Sequence, residues 1–293
     1  MNYRDAIQTS MEFVEAHIKE PLTVTRIAQA AGYSPYHFSR MFTEQRGMSV
    51  MDYVRLRRLS LARMELLTGR KILDIALDYG FETASGFTRA FRREFGYAPT
   101  VYLTRMAGWE EARTMSGGNR MIPVMKKMPA FLVAGYGIQT QLEEGYMRDI
   151  AAYWEHYDGE NLESKMYEQL RPRKHGEYGL CVRCEDGKIS YLLGVEAENP
   201  ARVASDMIQV QIPAAEYAVF TTEPVDLRNT AVYDSRFTPA IKALWKYIFE
   251  EWFPASGYEY DQGKLDFEFY DERCHFRADS TMDIYIPVKK KEE

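Results

Sequence analysis

The chain repeats one short pattern almost unchanged. Residues 32–42 read GYSPYHFSRMF, and residues 80–91 read GFETASGFTRAF. Each copy follows an Ile-Ala pair, and in each copy a Gly precedes a segment whose aromatic residues recur at helical spacing. Two segments that repeat 48 to 49 positions apart are expected to fold into the same local structure.

Each copy has the pattern of two helices joined by a tight turn. In the first copy, Thr23 is the expected N-cap of a short helix, Gly32 follows its end, and Ser34-Pro35 starts a second helix. In that second helix, apolar residues lie on one face and polar residues on the other. The second copy follows the same plan around Gly80. The repeat therefore predicts an all-α N-terminal domain with two helix-turn-helix units.

The charge distribution indicates which kind of partner residues 1–108 bind. The whole chain has a net charge of −6, but residues 1–108 contain 15 basic against 11 acidic residues, and 13 of the 15 are Arg. Arg makes forked contacts to phosphates and base edges, so we expect this segment to bind double-stranded DNA. The outward residues of the two second helices are Tyr36, Ser39, Arg40 and Thr43, and Ser85, Thr88, Arg89 and Arg92.

Residues 1–108 resemble the DNA-binding domain of the AraC/XylS transcription regulators. The resemblance rests on IAQAAGYSPYHFSRMFTEQRG and on DIALDYGFETASGFTRAFRREFGYAPTVYL. It implies seven helices, with the helices that start near Pro35 and Thr83 in adjacent major-groove segments about 34 Å apart. It also implies base-facing positions, which here are Tyr36, Ser39 and Arg40, and Ala84, Ser85 and Arg89.

The second half of the chain reads as an α+β domain. We place a linker at residues 109–119, because the flexible-looking stretch MSGGNR occupies residues 115–120. The second domain is then expected at residues 120–293. Strand patterns and two long helical patterns follow in the order strand–helix–strand–strand, twice. The turn of the first hairpin is expected at Asp186-Gly187. The chain is therefore predicted to be multidomain, with an all-α domain followed by an α+β domain.

The second domain resembles the GyrI-like effector-binding domains of multidrug-responsive regulators. The motifs that support this are PAFLVAGYG, YGLCV…YLLGVEA, IPAAEYAVF, the W…I…EWFP helix and LDFEFY. The resemblance implies a duplicated strand–helix–strand–strand fold. It also implies a small-molecule effector, lipophilic or cationic, bound between the two pseudo-symmetric halves.

The strand LDFEFY supplies the candidate effector residue. Alternation places Asp266, Glu268 and Tyr270 on one face of this strand. In the resembled family the glutamate of this motif lies in an aromatic pocket, and Glu268 is its match. A carboxylate among aromatic rings suits a lipophilic cation. The expected aromatic walls are Trp245 and Tyr217, with Tyr146 and Tyr191 as further candidates.

Simpler roles for the same residues remain open. Glu268 could be a solvated residue on an outer strand face, and Trp245 could serve core packing alone. Cys181 and Cys184 have a zinc-knuckle spacing without a second pair, so we expect no metal and no cofactor. No apolar run is long enough for a membrane span, and the N-terminus lacks the apolar stretch of a signal peptide, so we expect a cytoplasmic protein.

The sequence thus predicts a one-component transcription regulator that is not an enzyme. Its expected partners are double-stranded DNA, a small-molecule effector and RNA polymerase. Two alternatives remain open. The second domain could be a GyrI-like hydrolase that uses Glu268 as a general base. It could instead dock a protein partner without any ligand.

Overall fold

The computed structural model describes residues 3–106, 122–141, 146–184, 188–228, 237–274 and 277–291. The chain divides into two compact units, Met1–Glu94 and Phe95–Glu293. The predicted linker, residues 109–119, lies outside the described residues. The division at residues 94–95 assigns the last helix of the expected N-terminal domain to the second compact unit.

The first unit is all-helical. Its helices are α1 Tyr3–Ala16, α2 Val24–Ala30, α3 Pro35–Arg46, α4 Val50–Glu65, α5 Ile72–Asp78 and α6 Ala84–Phe95, with a 3₁₀ turn at Leu66–Thr68. The seventh predicted helix, α7, spans Pro99–Met106. The two helix-turn-helix units are α2–α3 and α5–α6.

The repeat positions adopt equivalent conformations. Gly32 and Gly80 lie in the two turns with φ of 77° and 76°, a left-handed conformation that favours glycine. The Thr23 side chain accepts a hydrogen bond from the Arg26 N–H, as an N-cap does. The inward residues of both second helices are buried, among them Phe38, Met41 and Phe42 in α3, and Phe87 and Phe91 in α6.

The connecting helix α4 is joined to α1 through its arginines. Arg57 binds the Glu15 carboxylate through Nε at 2.6 Å and Nη2 at 2.8 Å. Arg58 donates to the carbonyl oxygens of Ile18 and Glu20. These two arginines are therefore engaged within the unit, and their role in the structure is to position α4.

The second unit combines α7 with an antiparallel sheet and further helices. Its first half contains β1 Val124–Met128, β2 Phe131–Thr140, α8 Tyr146–Gly159, α9 Leu162–Leu170, β3 Glu177–Arg183 and β4 Ile189–Glu196. Its second half contains β5 Ile208–Ile212, β6 Ala215–Thr221, α10 Phe237–Tyr247, a π-helical segment Ile248–Trp252, α11 Phe253–Ala255, β7 Tyr258–Tyr260, β8 Phe267–Tyr270 and β9 Asp283–Lys290.

The sheet has an internal pseudo-symmetry. Its order over the described residues is β1-β6-β9-β8-β3-β4-β2-β5, with β7 paired to β9 outside this order. The central pair, β3 and β8, is flanked by β4, β2 and β5 on one side and by β9, β6 and β1 on the other. Each half thus adds its first strand to the edge of the other half. This arrangement confirms the predicted duplicated α+β fold.

Two prolines explain where the strands differ from the predicted ones. The patterns around residues 122–140 and 205–223 each read as one strand, but each forms two, β1–β2 and β5–β6. Pro129 lies between β1 and β2, and Pro213 lies between β5 and β6. Proline has no N–H to donate to the ladder, so the chain leaves one strand neighbour and joins another there. The predicted turn at Asp186-Gly187 lies outside the described residues.

The two faces of the sheet have separate cores. Phe267, Tyr178 and Tyr217 belong to the cluster on one face. Leu193 and Tyr191 point to the other face, where they pack with residues of α8. Glu268 alternates with Phe267 and therefore lies on the face that bears α8.

Glu177, at the start of β3, makes the stability of the second unit depend on pH. Burial and the charge and hydrogen bond of Glu163, on α9, raise the pKa of Glu177 from its ordinary 4.5 to about 8. The folded chain therefore binds a proton that the unfolded chain releases above pH 4.5. Stability falls as the pH rises from about 4.5 through about 8.

We expect Glu177→Gln to raise the melting temperature of the full-length protein at pH 8 by more than at pH 5, because the amide has no proton to lose. Thermal unfolding at the two pH values measures this. Glu168→Gln, an exposed site on α9, the helix that carries Glu163, serves as the control and should not change the pH dependence. An equal change for Glu177→Gln at both pH values would contradict the assignment.

Candidate functional site

The outer face of α3 is open to solvent. The Tyr36 residue is 81% exposed, and the Arg40 side chain is 72% exposed and ion-paired with Glu44 at 3.2 Å. An exposed ion pair of this kind contributes little to stability, so Arg40 can exchange its partner at low cost. The Ser39 hydroxyl donates to the Pro35 carbonyl oxygen within the helix and remains free to act as an acceptor.

The outer face of α6 is similar but carries smaller side chains. Thr83 precedes the helix and accepts a hydrogen bond from the Gly86 N–H. Ser85 and Arg89 are exposed, and Ala84 is half-buried. In the described part of the chain Arg89 has no ion-pair partner. Arg92 is half-buried, which makes it less accessible to a macromolecule than Arg89.

Glu268 lies at the centre of a second site, in the second unit. It is only 7% exposed, and both of its carboxylate oxygens accept hydrogen bonds. The Trp245 indole Nε1 donates to Oε1 at 2.8 Å, and the Tyr270 hydroxyl donates to Oε2 at 2.7 Å. Two of the predicted site residues, Glu268 and Trp245, are therefore in direct contact.

The pairing of β8 with β3 packs a glycine against this carboxylate. Gly179 is the register partner of Glu268. A Cβ atom at residue 179 would lie 3.3 Å from the Glu268 Cβ and 3.4 Å from its Oε2. A larger side chain at this position would press on the carboxylate, so the position of Glu268 depends on the glycine.

Aromatic side chains adjoin this site on the α8 side. Tyr191 and Tyr270 belong to one cluster with Tyr153, Tyr157 and Trp154. The Tyr191 ring centroid lies 5.4 Å from that of Tyr153 and 6.3 Å from that of Trp154. The α8 residues were not predicted as site residues. Their signal was the Tyr153–Tyr157 spacing of four, which places both rings on the same helix face.

One predicted aromatic wall, Tyr217, does not join the site, and another, Tyr146, is not tested. Tyr217 lies on the opposite face of the sheet, where its hydroxyl donates to the Leu265 carbonyl oxygen at 3.3 Å. Its ring packs against Phe267, whose side chain points away from that of Glu268. The side chain of Tyr146 lies outside the described residues.

A buried ion pair adjoins the Glu268 site. Arg105, on α7, is 5% exposed and donates to Asp266 through Nε at 2.8 Å. Asp266 also accepts from the Tyr260 hydroxyl at 3.1 Å. The Arg105 guanidinium lies over the Trp245 ring, 4.7 Å from its centroid. Neither Arg105 nor Asp266 was predicted as a site residue.

The charges of this region do not cancel. Burial lowers the pKa of Arg105, but the charge of Asp266 and further acidic groups, including Glu268, raises it above its ordinary range. Burial and the charge of Glu268 raise the pKa of Tyr270, so its hydroxyl remains a donor. Arg105 balances Asp266, whereas Glu268 has two neutral donors and no ion-pair partner in the described part of the chain.

The described residues contain neither a candidate metal site nor a candidate membrane span. Those residues contain no group of three or more His, Cys, Asp or Glu side chains that could hold a metal ion. No helix among them combines the length and the apolar character of a membrane span.

Each of the two predicted domains matches a known protein family. A family model described as a helix-turn-helix domain matches residues 27–105. A family model described as integron-associated effector binding protein matches residues 125–288, more than half of the chain. The two matches follow the order of the predicted domains.

Individual relatives agree with these family matches. The regulatory protein SoxS of Salmonella typhimurium is 40% identical over 107 residues, which are 36% of this chain and 100% of SoxS. The HTH-type transcriptional regulator YbfP of Bacillus subtilis is 35% identical over 136 residues, 46% of this chain. The matched part spans only 44% of YbfP.

Solved structures were also compared with the chain. The structure of SAV2435 bound to tetraphenylphosphonium is 18% identical, with a TM-score of 0.47, and covers 58% of this chain and 94% of that chain. The family matches do not depend on it. They confirm both expected domains, and the chain therefore belongs to the AraC family of regulators and, through residues 125–288, to the family of integron-associated effector binding proteins.

Proposed function

We propose that this AraC-type regulator binds duplex DNA through α3 and α6 and senses a lipophilic organic cation at Glu268. The observation that carries the sensing role is the buried Glu268 carboxylate. Its two hydrogen-bond donors, Trp245 and Tyr270, are uncharged aromatic side chains, and it forms no ion pair within the part of the chain that the structure describes.

The DNA-binding role is supported by two equivalent exposed helix faces in one chain. Each follows a glycine turn, and each presents an exposed Arg, at Arg40 and at Arg89. A helix-turn-helix places its second helix in the major groove, where Arg reads guanine through a forked contact. Because α6 otherwise offers Ala84 and Ser85, we propose that it depends more on Arg89 and on phosphate contacts.

The effector role is supported by the cost of burying a charge. A carboxylate removed from water is stabilised by hydrogen bonds, but an opposite charge stabilises it further. An organic cation supplies that charge, and its apolar surface suits the adjoining Tyr191 and α8 rings through cation–π attraction. A neutral molecule of similar shape gains only the apolar contacts.

We propose no catalytic role for Glu268. A general base needs an oxygen that can accept a proton from the reacting group. Each Glu268 oxygen already uses one of its two lone pairs to accept a hydrogen bond, from Trp245 or from Tyr270. This arrangement suits recognition of charge better than hydrolysis. Unchanged recovery of an electrophilic test compound after incubation with the protein would support it.

The DNA-binding proposal predicts that Arg40→Ala and Arg89→Ala each weaken specific binding by roughly 1–3 kcal/mol. The two variants should relax base preference at different positions, because the arginines lie on different helices. Fluorescence anisotropy on a duplex selected by the full-length protein measures the affinity, and repeated selection measures the preference.

Arg173→Ala is the matched control for these variants. Arg173 is also an exposed arginine ion-paired with a glutamate, Glu198, but it lies in the second unit. Its removal should leave DNA binding unchanged. Equal loss of affinity for every sequence in the Arg40 and Arg89 variants would show that these residues contact only phosphates.

The sensing proposal predicts that Glu268→Gln weakens binding of tetraphenylphosphonium at least about tenfold, or 1.4 kcal/mol. The amide keeps hydrogen-bonding capacity toward Trp245 and Tyr270 but removes the charge. Binding of neutral triphenylphosphine oxide should change much less. Isothermal titration calorimetry on the full-length protein measures both affinities.

A circular dichroism spectrum and a melting temperature like those of the wild type would show that the fold of the Glu268→Gln variant is intact. If wild type and variant bound the cation equally well, Glu268 would have no part in recognition. If no compound bound or raised the melting temperature, a second domain that docks a protein without ligand would be favoured instead.

A further inference from the structure

Helix α7 belongs to the helix-turn-helix match in sequence but to the second unit in structure. The family match ends at residue 105, whereas the compact second unit begins at Phe95. Arg105 donates to the Asp266 carboxylate and, through Nη2, to the Asp266 carbonyl oxygen at 3.2 Å. The Tyr97 hydroxyl donates to the Phe249 carbonyl oxygen at 2.8 Å, and the Tyr102 hydroxyl donates to Glu250 at 3.3 Å.

One side chain connects this anchor to the effector site. The Trp245 indole donates to Glu268 at one edge, and the Arg105 guanidinium lies over its ring. Trp245 also stacks on Phe249 with centroids 5.6 Å apart, and Phe249 packs against Tyr97 and Tyr102. Any displacement of Trp245 therefore changes the packing of α7.

We propose that Arg105, Trp245 and Glu268 form a switch through which a cation bound at Glu268 weakens the anchoring of α7 and thereby changes DNA affinity. This inference rests on the proposed sensing function. Residues 96–98 alone separate α7 from α6, the second recognition helix, so a change in α7 alters the restraint on the end of α6.

The direction of the effect follows from the charges. Arg105 is attracted both by Asp266 and by Glu268. A cation at Glu268 cancels one attraction and adds a repulsion between two positive groups on either side of Trp245. Linkage requires the reverse effect as well, so a firmly anchored Arg105 lowers the affinity for the cation.

The test compares the full-length wild type with Arg105→Gln/Asp266→Asn. This double variant removes both charges of the anchor and leaves no single charge buried without its partner. In the wild type, saturating tetraphenylphosphonium should change the Kd for a selected DNA duplex at least about fivefold. In the double variant the cation should still bind, with equal or higher affinity, and the DNA Kd should change less than about twofold.

Two further variants separate the switch from general loosening of α7. Trp245→Phe keeps a ring to stack on Phe249 but removes the N–H donor to Glu268, so the effect of the cation on DNA binding should decrease. Tyr102→Phe removes a different α7 hydrogen bond, remote from Glu268 in the contact pattern, and should leave the cation effect intact.

Amide hydrogen exchange of residues 99–106 in the wild type tests the same inference without any variant. The cation should accelerate exchange there. Suppose that calorimetry shows the cation binding. Unchanged exchange of residues 99–106 would then overturn the switch, and so would an equal effect of the cation on the DNA Kd in the wild type and in the double variant. Loss of cation binding in the wild type itself would instead refute the sensing function, and the switch with it.

Discussion

The ion pair between Arg105 and Asp266 determines how the second unit is put together. Both side chains are almost fully removed from water, and an unpaired charge at such a site is strongly destabilising. The fold must therefore bring the two side chains together, although their positions differ by 161 in the sequence. The Tyr260 hydroxyl satisfies a second Asp266 oxygen, and the Trp245 ring covers the guanidinium. These contacts fix α7 to the strand that carries Glu268.

This arrangement determines the electrostatic character of the proposed effector site. Because Asp266 is neutralised by Arg105, the charge that remains without an ion-pair partner in the described part of the region is that of Glu268. Its hydrogen bonds to Trp245 and Tyr270 orient it but carry no charge. The proposed selectivity for a cation rests on this excess of acidic groups over basic ones. The aromatic cluster on the α8 side supplies apolar contact without supplying charge.

Local sequence signals predicted the first unit well and the effector site in part. Turn glycines, the Thr23 cap and apolar spacing act within a few residues, so the helix-turn-helix units could be predicted from them. Glu268 was placed by alternation within one strand. Whether Tyr217 shares its face depends on the register across β6, β9 and β8, which no single strand reveals. The Arg105–Asp266 pair could not be predicted, since nothing local joins its two residues.

The position of α7 has a consequence for how the chain can be divided. By sequence, a cut after residue 108 separates two domains, yet the Asp266 carboxylate would then lose Arg105 and keep, among the described residues, the Tyr260 hydroxyl as its donor. The first fragment would expose Tyr97 and Tyr102, whose rings are buried in the second unit. A cut there would remove a buried charge pair and an aromatic packing surface together. Helix α7 is thus an integral part of the effector unit, even though its sequence continues the DNA-binding domain. A helix that continues the sequence of one domain and packs within the other is the connection on which the proposed switch depends.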